Sequence, residues 1–506
     1  MEKSGVYDYI KGKDPESLSA DFLAYLSSLD QVSKVSKSTA SSIVKELENQ
    51  RTSLKLIASE NFTSLSTQFA ASNLLTDNYA EGFPYHRFYA GCDNVDDIEA
   101  ESVELAKKIF GAEHAFVQPH SGADANLIAY WGILTTKIEI PMLEGIGETN
   151  PAHLSDEQWA KIREALGNQK LLGLDYYSGG HLTHGYRFNL SAKMFDAYTY
   201  NVNKETGVLD YDEIEKLAME IKPLILLTGY SAYPRLINFK RMKEIADKVG
   251  AVFMVDMAHF SGLVAGGVMT GEYNPIPYAD VATTTTHKTL RGPRAGLVLC
   301  TNEFKDSMDK ACPLVMGGPL PHILAAKTVA LTEVDTPEYK VYAHNIVKNS
   351  KALAAAFQDE GLKIATGGTD NHLMLVDLGD TGLNGRQGES VLRQCDITCN
   401  RNALPFDVNG PWYTSGLRIG TPAATTLGMT TDDMKEIASI IAFIIKNTKP
   451  STIKKGKNEG KLSKAKYDIS AETVAAAKAR VKVIVDKYPV YPELDLDFMK
   501  AHYVVD

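Results

Sequence analysis

The chain has 506 residues, of which 44% are hydrophobic and 23% are charged, a composition typical of soluble globular proteins. Its 53 Lys and Arg residues against 63 Asp and Glu residues give a formal charge of −10, which argues against a general nucleic-acid binder. At roughly 150 residues per domain, this length favours two large domains or about three smaller ones.

The N-terminal segment, residues 1–50, is polar with weakly amphipathic helical stretches, and we predict an arm there. It has no apolar stretch typical of a signal peptide. The apolar run at 437–445 is much shorter than the ~20 residues of a spanning helix, so we expect no membrane segment. Five scattered cysteines without a Cys-x-x-Cys pair favour buried thiols in a reducing cytoplasm.

Residues 51–325 alternate short apolar β-rich runs with helical or loop stretches, and we expect a large domain here. The runs lie at 115–118, 224–229, 251–256, 280–285 and 296–300. Between two of them, residues 239–249 place apolar side chains at helical spacing. This alternation predicts an α/β domain in which a mostly parallel sheet is flanked by helices.

Residues 326–506 begin with helical sequence and continue with shorter apolar runs at 373–378 and 417–420. A further helix is predicted near 433–446. This pattern favours a smaller α+β C-terminal domain.

Two segments read as insertions. Residues 134–172 contain a helix signalled by Ser155 and Gln158 at capping-box spacing, with Gly167 placed to end it. Residues 451–467 carry six lysines among Gly, Asn and Ser, which we interpret as a solvated surface loop in preference to an anion or RNA contact.

The most informative stretch is TTTTHKTLRGPRAG at 283–296, because Lys288 follows a predicted strand. The carboxyl end of a parallel strand is where α/β sheets place their ligands. A lysine amine with a lowered pKa reacts with carbonyl groups, and pyridoxal phosphate (PLP) is the common cofactor held in this way. Lys288 is therefore a candidate PLP lysine.

PLP also needs an acid beside its ring nitrogen and a cradle for its phosphate. Asp256 ends the predicted strand at 251–256, about one strand–helix–strand step before Lys288. Ser121 and Gly122 follow another strand and open a helix, where backbone N–H groups can bind a phosphate.

Three further side chains fit such a site. His181, in the glycine-flanked loop GGHLTHG, can stack on a flat ring, and His259 can hydrogen-bond the phenolic oxygen of the cofactor. A buried structural histidine is the alternative for both. Arg418, in TSGLRIGTP, can bind an amino-acid carboxylate through two parallel hydrogen bonds.

These motifs resemble those of serine hydroxymethyltransferases. The matching segments run in order from about residue 50 to the C-terminus: LKLIASENF, DNYAEGFP, RFYAGCDNVD, PHSGADAN, GGHLTHG, YSAYPR, VDMAHFSGL, TTTTHKTLRGPRAG, GGPLPH and TSGLRIGTPAATT. The resemblance implies the type I fold of PLP-dependent transferases, related to aspartate aminotransferase. It also implies transfer of the serine hydroxymethyl group to tetrahydrofolate, leaving glycine.

The resemblance further implies roles for individual residues. Lys288 would bond the cofactor's aldehyde carbon, Asp256 would pair with the ring nitrogen, and Glu81 would be the acid–base group. Catalytic positions would also include His259 and Thr285. The other cofactor-binding positions would be Ser121, Gly122, Ala123, His181, Ser231, His287, Tyr79, Gly317 and Gly318. The substrate-binding positions would be Ser59, Tyr89, Arg418, Glu81 and, for the pterin, Asn402. No metal site is predicted.

Family enzymes build each site from two subunits, so the resemblance implies a homodimer or a tetramer. Tyr79, Glu81, Gly317 and Gly318 would then reach the neighbouring subunit's cofactor.

The chain departs from the usual family pattern at positions that bear mainly on folate. Tyr85 stands in place of a glycine, His86 of a lysine and Phe88 of a tyrosine. Ala123 replaces a serine hydroxyl in the phosphate turn, and Tyr176 stands where a residue would line the folate site.

Two alternatives to the folate-dependent transferase stay open at this point. The first is a PLP aldolase or racemase that acts on small amino acids without folate, supported by the altered positions 83–91 and 176. The second is a catalytically idle protein that binds RNA or a partner through the lysines of 451–467. An intact set of Lys288, Asp256 and Arg418 argues against the second.

Overall fold

The computed structural model describes residues 4–505 of the chain. The strands are, in chain order, β1 (Leu54–Lys55), β2 (Gly82–Phe83), β3 (His86–Arg87), β4 (His114–Phe116), β5 (Lys170–Leu174), β6 (Asp196–Tyr200), β7 (Ile225–Gly229), β8 (Val252–Asp256), β9 (Val281–Thr285), β10 (Gly296–Cys300), β11 (Lys363–Ile364), β12 (Leu373–Asp377), β13 (Ile397–Thr398), β14 (Asn400–Asn402), β15 (Gly416–Gly420), β16 (Lys449–Thr452) and β17 (Leu462–Asp468).

The α-helices are, in chain order, α1 (Gly5–Ile10), α2 (Ala20–Val35), α3 (Lys37–Thr52), α4 (Leu65–Ala70), α5 (Asp93–Phe110), α6 (Gly122–Leu134), α7 (Ile140–Gly145), α8 (Asp156–Gly167), α9 (Ser191–Met194), α10 (Tyr211–Ile221), α11 (Phe239–Val249), α12 (Ser261–Ala265), α13 (Lys305–Leu314), α14 (Pro321–Val334), α15 (Pro337–Asp359), α16 (Gly385–Gln394), α17 (Gly410–Tyr413), α18 (Pro422–Thr426), α19 (Thr431–Lys446), α20 (Ala471–Lys487) and α21 (Leu496–Tyr503).

A seven-stranded central sheet has the order β4-β10-β9-β8-β7-β5-β6. Strand β10 runs antiparallel to both of its neighbours, and the other pairings are parallel. Every residue of β7, β8 and β9 is buried, as expected for parallel strands covered by helices on both faces. The predicted α/β fold with a mostly parallel sheet is confirmed.

Strand β8 separates two layers of the hydrophobic core. Phe253 and Val255 belong to the core on one face of the sheet, whereas Val252 and Met254 belong to the core on the other face. This alternation follows from the period of two residues along a strand. Burial of such side chains contributes about 1.5–3 kcal/mol each, and it fixes where Asp256 emerges at the carboxyl end of β8.

A second, four-stranded sheet has the order β11-β12-β15-β14 and is antiparallel throughout. Met374 of β12, Ile419 of β15 and Ile441 of α19 share a core of their own. The apolar run at 437–445 is thus part of a buried helix of this core. Within residues 4–505, no helix is both long and apolar enough to span a membrane. The exact boundaries of the arm and the two domains stay a prediction.

The N-terminal helices pack against the C-terminal helix. Phe22 and Leu26 of α2, Val44 of α3, and Met499 and Tyr503 of α21 form one hydrophobic cluster. The predicted arm therefore folds into helices that are joined to the other end of the chain.

The helix predicted in the insertion 134–172 is α8, and the capping box of Ser155 and Gln158 is present as predicted. The helix ends at Gly167, as predicted, and Asn168 is its C-cap with φ −95°. The last residues of the range, from Lys170 onward, already belong to β5 of the central sheet.

The Lys-rich range 451–467 forms a hairpin. Residues 453–461 are its connecting loop and are mostly exposed, as the sequence predicted, whereas the flanking residues belong to β16 and β17. Along β17 exposed residues alternate with partly buried ones, so strand pairing holds lysines toward solvent. The side-chain amide of Gln387 at the start of α16 donates to the carbonyl oxygens of Ser463 and Lys466, which anchors the hairpin to the second domain.

The packing of the central sheet predicts that Gly229→Ala is strongly destabilising. Gly229 ends β7 with φ +132°, and a Cβ there would lie 2.0 Å from the backbone oxygen of Asp256. Overpacking and backbone strain together should lower the free energy of unfolding by about 3 kcal/mol or more. Urea unfolding monitored by circular dichroism measures the loss.

Gly250→Ala is the matched control, because Gly250 also has a positive φ, +72°, but has open space around its Cβ position. It should lose only about 1–2 kcal/mol. Equal losses in the two variants would contradict the close approach of β7 to Asp256.

Candidate active site

A cavity of about 620 Å³ lies where the carboxyl ends of the central strands meet the second domain. The predicted site residues that line it are Ser59, Ser121, Gly122, Ala123, His181, Ser231, Asp256, His259, Thr285, His287, Lys288, Asn402 and Arg418. The fold thus brings together residues that are spread over more than 350 positions of the sequence.

Asp256 lies at the carboxyl end of β8 and its carboxylate is held by three donors. Asn126 Nδ2 donates to Oδ2 at 2.8 Å, His184 Nε2 lies 3.1 Å from the same oxygen, and the Ala258 N–H donates to Oδ1 at 3.0 Å. Burial alone would raise the pKa of Asp256, but His184, His181 and Asn126 hold it well below its usual range. The carboxylate is therefore ionised throughout the neutral pH range.

Lys288 follows β9 in the loop that runs to β10. Burial lowers the pKa of the Lys288 amine to about 8. The positive charges of Arg418 and Arg294 add to this effect, whereas Asp256 opposes it. A neutral fraction of the amine, which is the nucleophilic form, is consequently available near neutral pH.

The predicted phosphate turn opens helix α6. Ser121 is its N-cap, and the Ser121 hydroxyl accepts a hydrogen bond from the Asp124 N–H at 3.1 Å. A Cβ on Gly122 would lie 2.5 Å from Thr285 Cγ2, so this position has room only for glycine. The N-terminus of a 13-residue helix that faces a cavity favours a bound anion such as phosphate.

Arg418 projects from β15 of the second sheet and crosses to the large domain. Its Nη1 donates to the Ser231 carbonyl oxygen at 2.6 Å, and its Nε donates to Asn400 Oδ1 at 3.1 Å. Burial lowers the pKa of Arg418 to about 10, so the guanidinium stays charged. These two contacts hold a positive group inside the cavity, where it can bind a carboxylate.

The cavity histidines are neutral. Burial lowers the pKa of His181 to about 4 even though Asp256 opposes the shift, and burial lowers that of His287 to about 3. His181 Nδ1 lies 2.7 Å from the Thr183 hydroxyl, which orients a flat, uncharged ring in the cavity lining.

Five predicted site residues form a second cluster, which in the described chain does not line the cavity: Tyr79, Glu81, Tyr89, Gly317 and Gly318. The Tyr79 and Tyr89 rings are 5.0 Å apart, and a Cβ on Gly318 would lie 3.3 Å from Tyr79 and 3.7 Å from Glu81. Tyr79 is 59% exposed. In the single chain these residues, Tyr89 included, are therefore not part of the cavity lining that contains Lys288 and Arg418.

The structure shows the surroundings of two residues that depart from the family pattern, Tyr85 and Tyr176. Tyr85 adopts a left-handed backbone with φ +63°, a conformation that suits the glycine usual at this position. Tyr176 lines the cavity, and its ring lies 5.1 Å from that of Tyr186. The effect of these residues on folate stays a prediction.

Sequence reasoning did not single out four polar residues of this site. Asn126 and His184 hold Asp256, Arg294 lines the cavity beside Lys288, and His372 contacts His259. Asn126 and His184 lie inside the quoted motifs PHSGADAN and GGHLTHG. Their hydrogen-bonding side chains within these motifs were the signal that could have identified them. His372 stands immediately before β12 and has no such signal.

The residues present fit PLP. The cavity offers an amine with a lowered pKa, an ionised acid, a glycine turn at a helix N-terminus and a neutral ring. Lys288 would bond the aldehyde carbon, Asp256 would hold the ring nitrogen, and the Ser121–Gly122 turn would bind the phosphate.

Comparison with known proteins decides the family. The family model for serine hydroxymethyltransferase matches residues 32–164 and 160–441. A serine hydroxymethyltransferase of Treponema pallidum is 53% identical over 503 residues, which cover 99% of this chain and 87% of that protein. That of Chlamydia muridarum is 50% identical over 489 residues, 96% of this chain and 97% of the other. The serine hydroxymethyltransferase of Salinispora tropica is 49% identical over 477 residues, which cover 94% of this chain and 99% of that protein.

The chain belongs to the serine hydroxymethyltransferase family. It is a one-carbon transferase that interconverts serine and glycine, with PLP as cofactor and tetrahydrofolate as co-substrate. The predicted family, enzyme class and cofactors are confirmed, and the folate-independent aldolase or racemase is not favoured.

The environment of Lys288 predicts the pH dependence of its reactivity. In the cofactor-free protein, the rate of its modification by a small aldehyde and borohydride should reach half its maximum near pH 8. An exposed lysine has its midpoint at about 10.4. Peptide mass spectrometry of the trapped adduct measures the rate at each pH.

Arg418→Gln should move this midpoint to higher pH, because the substitution removes one of the positive charges that lower the pKa of Lys288. A wild-type midpoint at the value of an exposed lysine would contradict the assigned environment.

Proposed function

We propose that this cavity is the site of the serine–glycine interconversion and that Lys288, Asp256 and Arg418 perform its central tasks. The observation that carries the proposal is the placement of an ionised buried carboxylate and a reactive amine in one cavity. Bound there, PLP supplies an electron sink for negative charge at the α-carbon of the amino acid.

Each of the three residues has a task that follows from its geometry. Asp256 keeps a proton on the ring nitrogen, because its carboxylate stays ionised and is fixed by Asn126 and His184. Arg418 binds the substrate carboxylate and so fixes the orientation of the amino acid. The Lys288 amine holds the cofactor and can move a proton when neutral.

The other lining residues complete the proposed site. Ser121, Gly122, Ala123, Ser231 and His287 would surround the phosphate and the pocket, whereas His181 would stack on the ring. His259 would contact the phenolic oxygen, and Thr285, which packs against Gly122, would support the turn. Ser59 would bind substrate, and Asn402 with Tyr176 would border the pterin.

The second cluster would serve the neighbouring subunit of a homodimer. One carboxylate of the cavity, Glu60, is paired with Lys55 at 2.6 Å, and the other, Asp256, is held by its donors. Neither is free to shuttle a proton at the hydroxymethyl group. We propose that Glu81 of one subunit does so in the other, accompanied by Tyr79, Tyr89, Gly317 and Gly318. Pairs of dimers would give a tetramer.

A cytoplasmic location is part of the proposal. It is supported by five free, buried cysteines, in keeping with a reducing compartment.

Asp256→Asn should lower kcat by about 10²–10⁴-fold, because an amide does not hold a proton on the ring nitrogen. Steady-state formation of glycine from serine with tetrahydrofolate measures the loss. The matched control is Asp247→Asn, the same change on α11, where the side chain is 60% exposed and pairs with Lys243. Equal losses of kcat in the two variants would overturn the role of Asp256, and so would the absence of a loss in both.

Sharing of sites between subunits predicts complementation of two inactive variants. Glu81→Gln and Lys288→Ala would each be inactive alone. After denaturation and refolding together, half of the dimers are mixed and each has one intact site, so about a quarter of the wild-type activity should return. No recovery, with mixed dimers demonstrated by mass spectrometry, would place Glu81 in its own subunit's site.

A further inference from the structure

His372 brings a fully buried imidazole from the second domain against a residue of the cavity lining. It stands immediately before β12 and is 0% exposed. Its Nε2 lies 3.2 Å from His259 Nδ1, and the two rings meet edge to edge, with centroids 5.4 Å apart and planes inclined by 26°. The remaining nitrogen of His259, Nε2, belongs to a side chain that lines the cavity.

Both imidazoles are neutral, so each carries one proton. Burial lowers the pKa of His372 to about 3, and the positive charges of Arg418 and Lys288 add to the effect. Burial also lowers the pKa of His259 well below its usual range, in the same positive surroundings. Between two neutral rings, one hydrogen bond can form only if one nitrogen is the donor and the other the acceptor.

The outer nitrogen of His372 decides which ring donates. Among the described residues, His372 Nδ1 is buried and has no hydrogen-bond partner. If His259 were the donor, the His372 proton would sit on this Nδ1 as a buried N–H without an acceptor. In protein backbones, buried N–H groups without partners are rarer than buried acceptors without donors, and we apply the same preference to the imidazole. The proton of His372 is therefore on Nε2, which donates to His259.

We propose that His372 is a positioning residue that fixes the tautomer of His259 with its proton on Nε2. This inference rests on the proposed function of the cavity. His259 Nε2 would then be a hydrogen-bond donor, and not an acceptor, toward the phenolic oxygen of the cofactor. The donor is thus set by a side chain of the second domain, in the way that partners orient the histidines of metal sites.

The test uses the holoenzyme with ¹⁵N-labelled histidine, in which ¹⁵N–¹H correlation spectra report which ring nitrogen carries the proton. His259→Asn assigns the signals. The expected result is a protonated Nε2 and a bare Nδ1 at His259. A proton on His259 Nδ1 in the wild-type enzyme would overturn the proposal without any variant of His372.

Two variants separate donation from packing. His372→Leu removes the donor and should release His259 into both tautomers and lower kcat by about 10–100-fold with little change in the KM for serine. His372→Gln restores an N–H donor and should recover the single tautomer and most of the rate. His344→Leu makes the same substitution on the exposed face of α15 and serves as the control for a histidine-to-leucine change outside the cavity.

The outcomes also separate this proposal from the proposed function. An enzyme that does not bind PLP in the cavity contradicts the proposed function itself. An enzyme that binds PLP, with a His259 tautomer that is the same in the wild type and in His372→Leu, contradicts only the role of His372.

Discussion

The buried negative charge of Asp256 is the constraint on which the rest of the site depends. An ionised carboxylate in a protein interior is costly unless donors compensate it, and here Asn126, His184 and the Ala258 N–H do so. Asn126 in turn accepts from the Thr283 hydroxyl on the neighbouring strand β9, at 2.5 Å. The central sheet and helix α6 thereby hold this charge in a fixed place.

The positive groups of the cavity are arranged around that charge but come from different parts of the fold. Lys288 follows β9, whereas Arg418 comes from β15 of the second sheet and bonds to the Ser231 carbonyl oxygen. The cavity therefore exists only when the two domains are correctly positioned relative to each other. The contact of His372 with His259 is a second junction of this kind.

The sequence predicted the parts of this architecture that are encoded locally. The runs at 224–229, 251–256, 280–285 and 296–300 correspond to β7–β10, because these fully buried strands are rich in apolar and β-branched residues. Strand β6, with Tyr and Thr in the sequence DAYTY and an exposed first residue, gave no such run. The hairpin at 449–468 was missed because its lysines and glycines resemble a loop.

In the candidate site, too, the residues that could be predicted are those with a local sequence signal. Lys288 and Asp256 were predictable because each stands just after or at the end of an apolar strand, and the motifs around them are specific. Asn126 and His184 lie in quoted motifs, but their contacts with Asp256 were not predictable, because they join elements that are distant in sequence. The same holds for the contact of His372 with His259. Spacing along a chain reports neighbours on one element, whereas these contacts depend on how sheets and helices pack.

The measurement that tests the account most directly is the visible absorption spectrum of the holoenzyme, first with glycine and then with tetrahydrofolate added. We expect a yellow protein in which a strong new long-wavelength band forms when both ligands are present, because one cavity binds cofactor, amino acid and folate together. A spectrum with glycine that tetrahydrofolate leaves unchanged would contradict this account of the cavity.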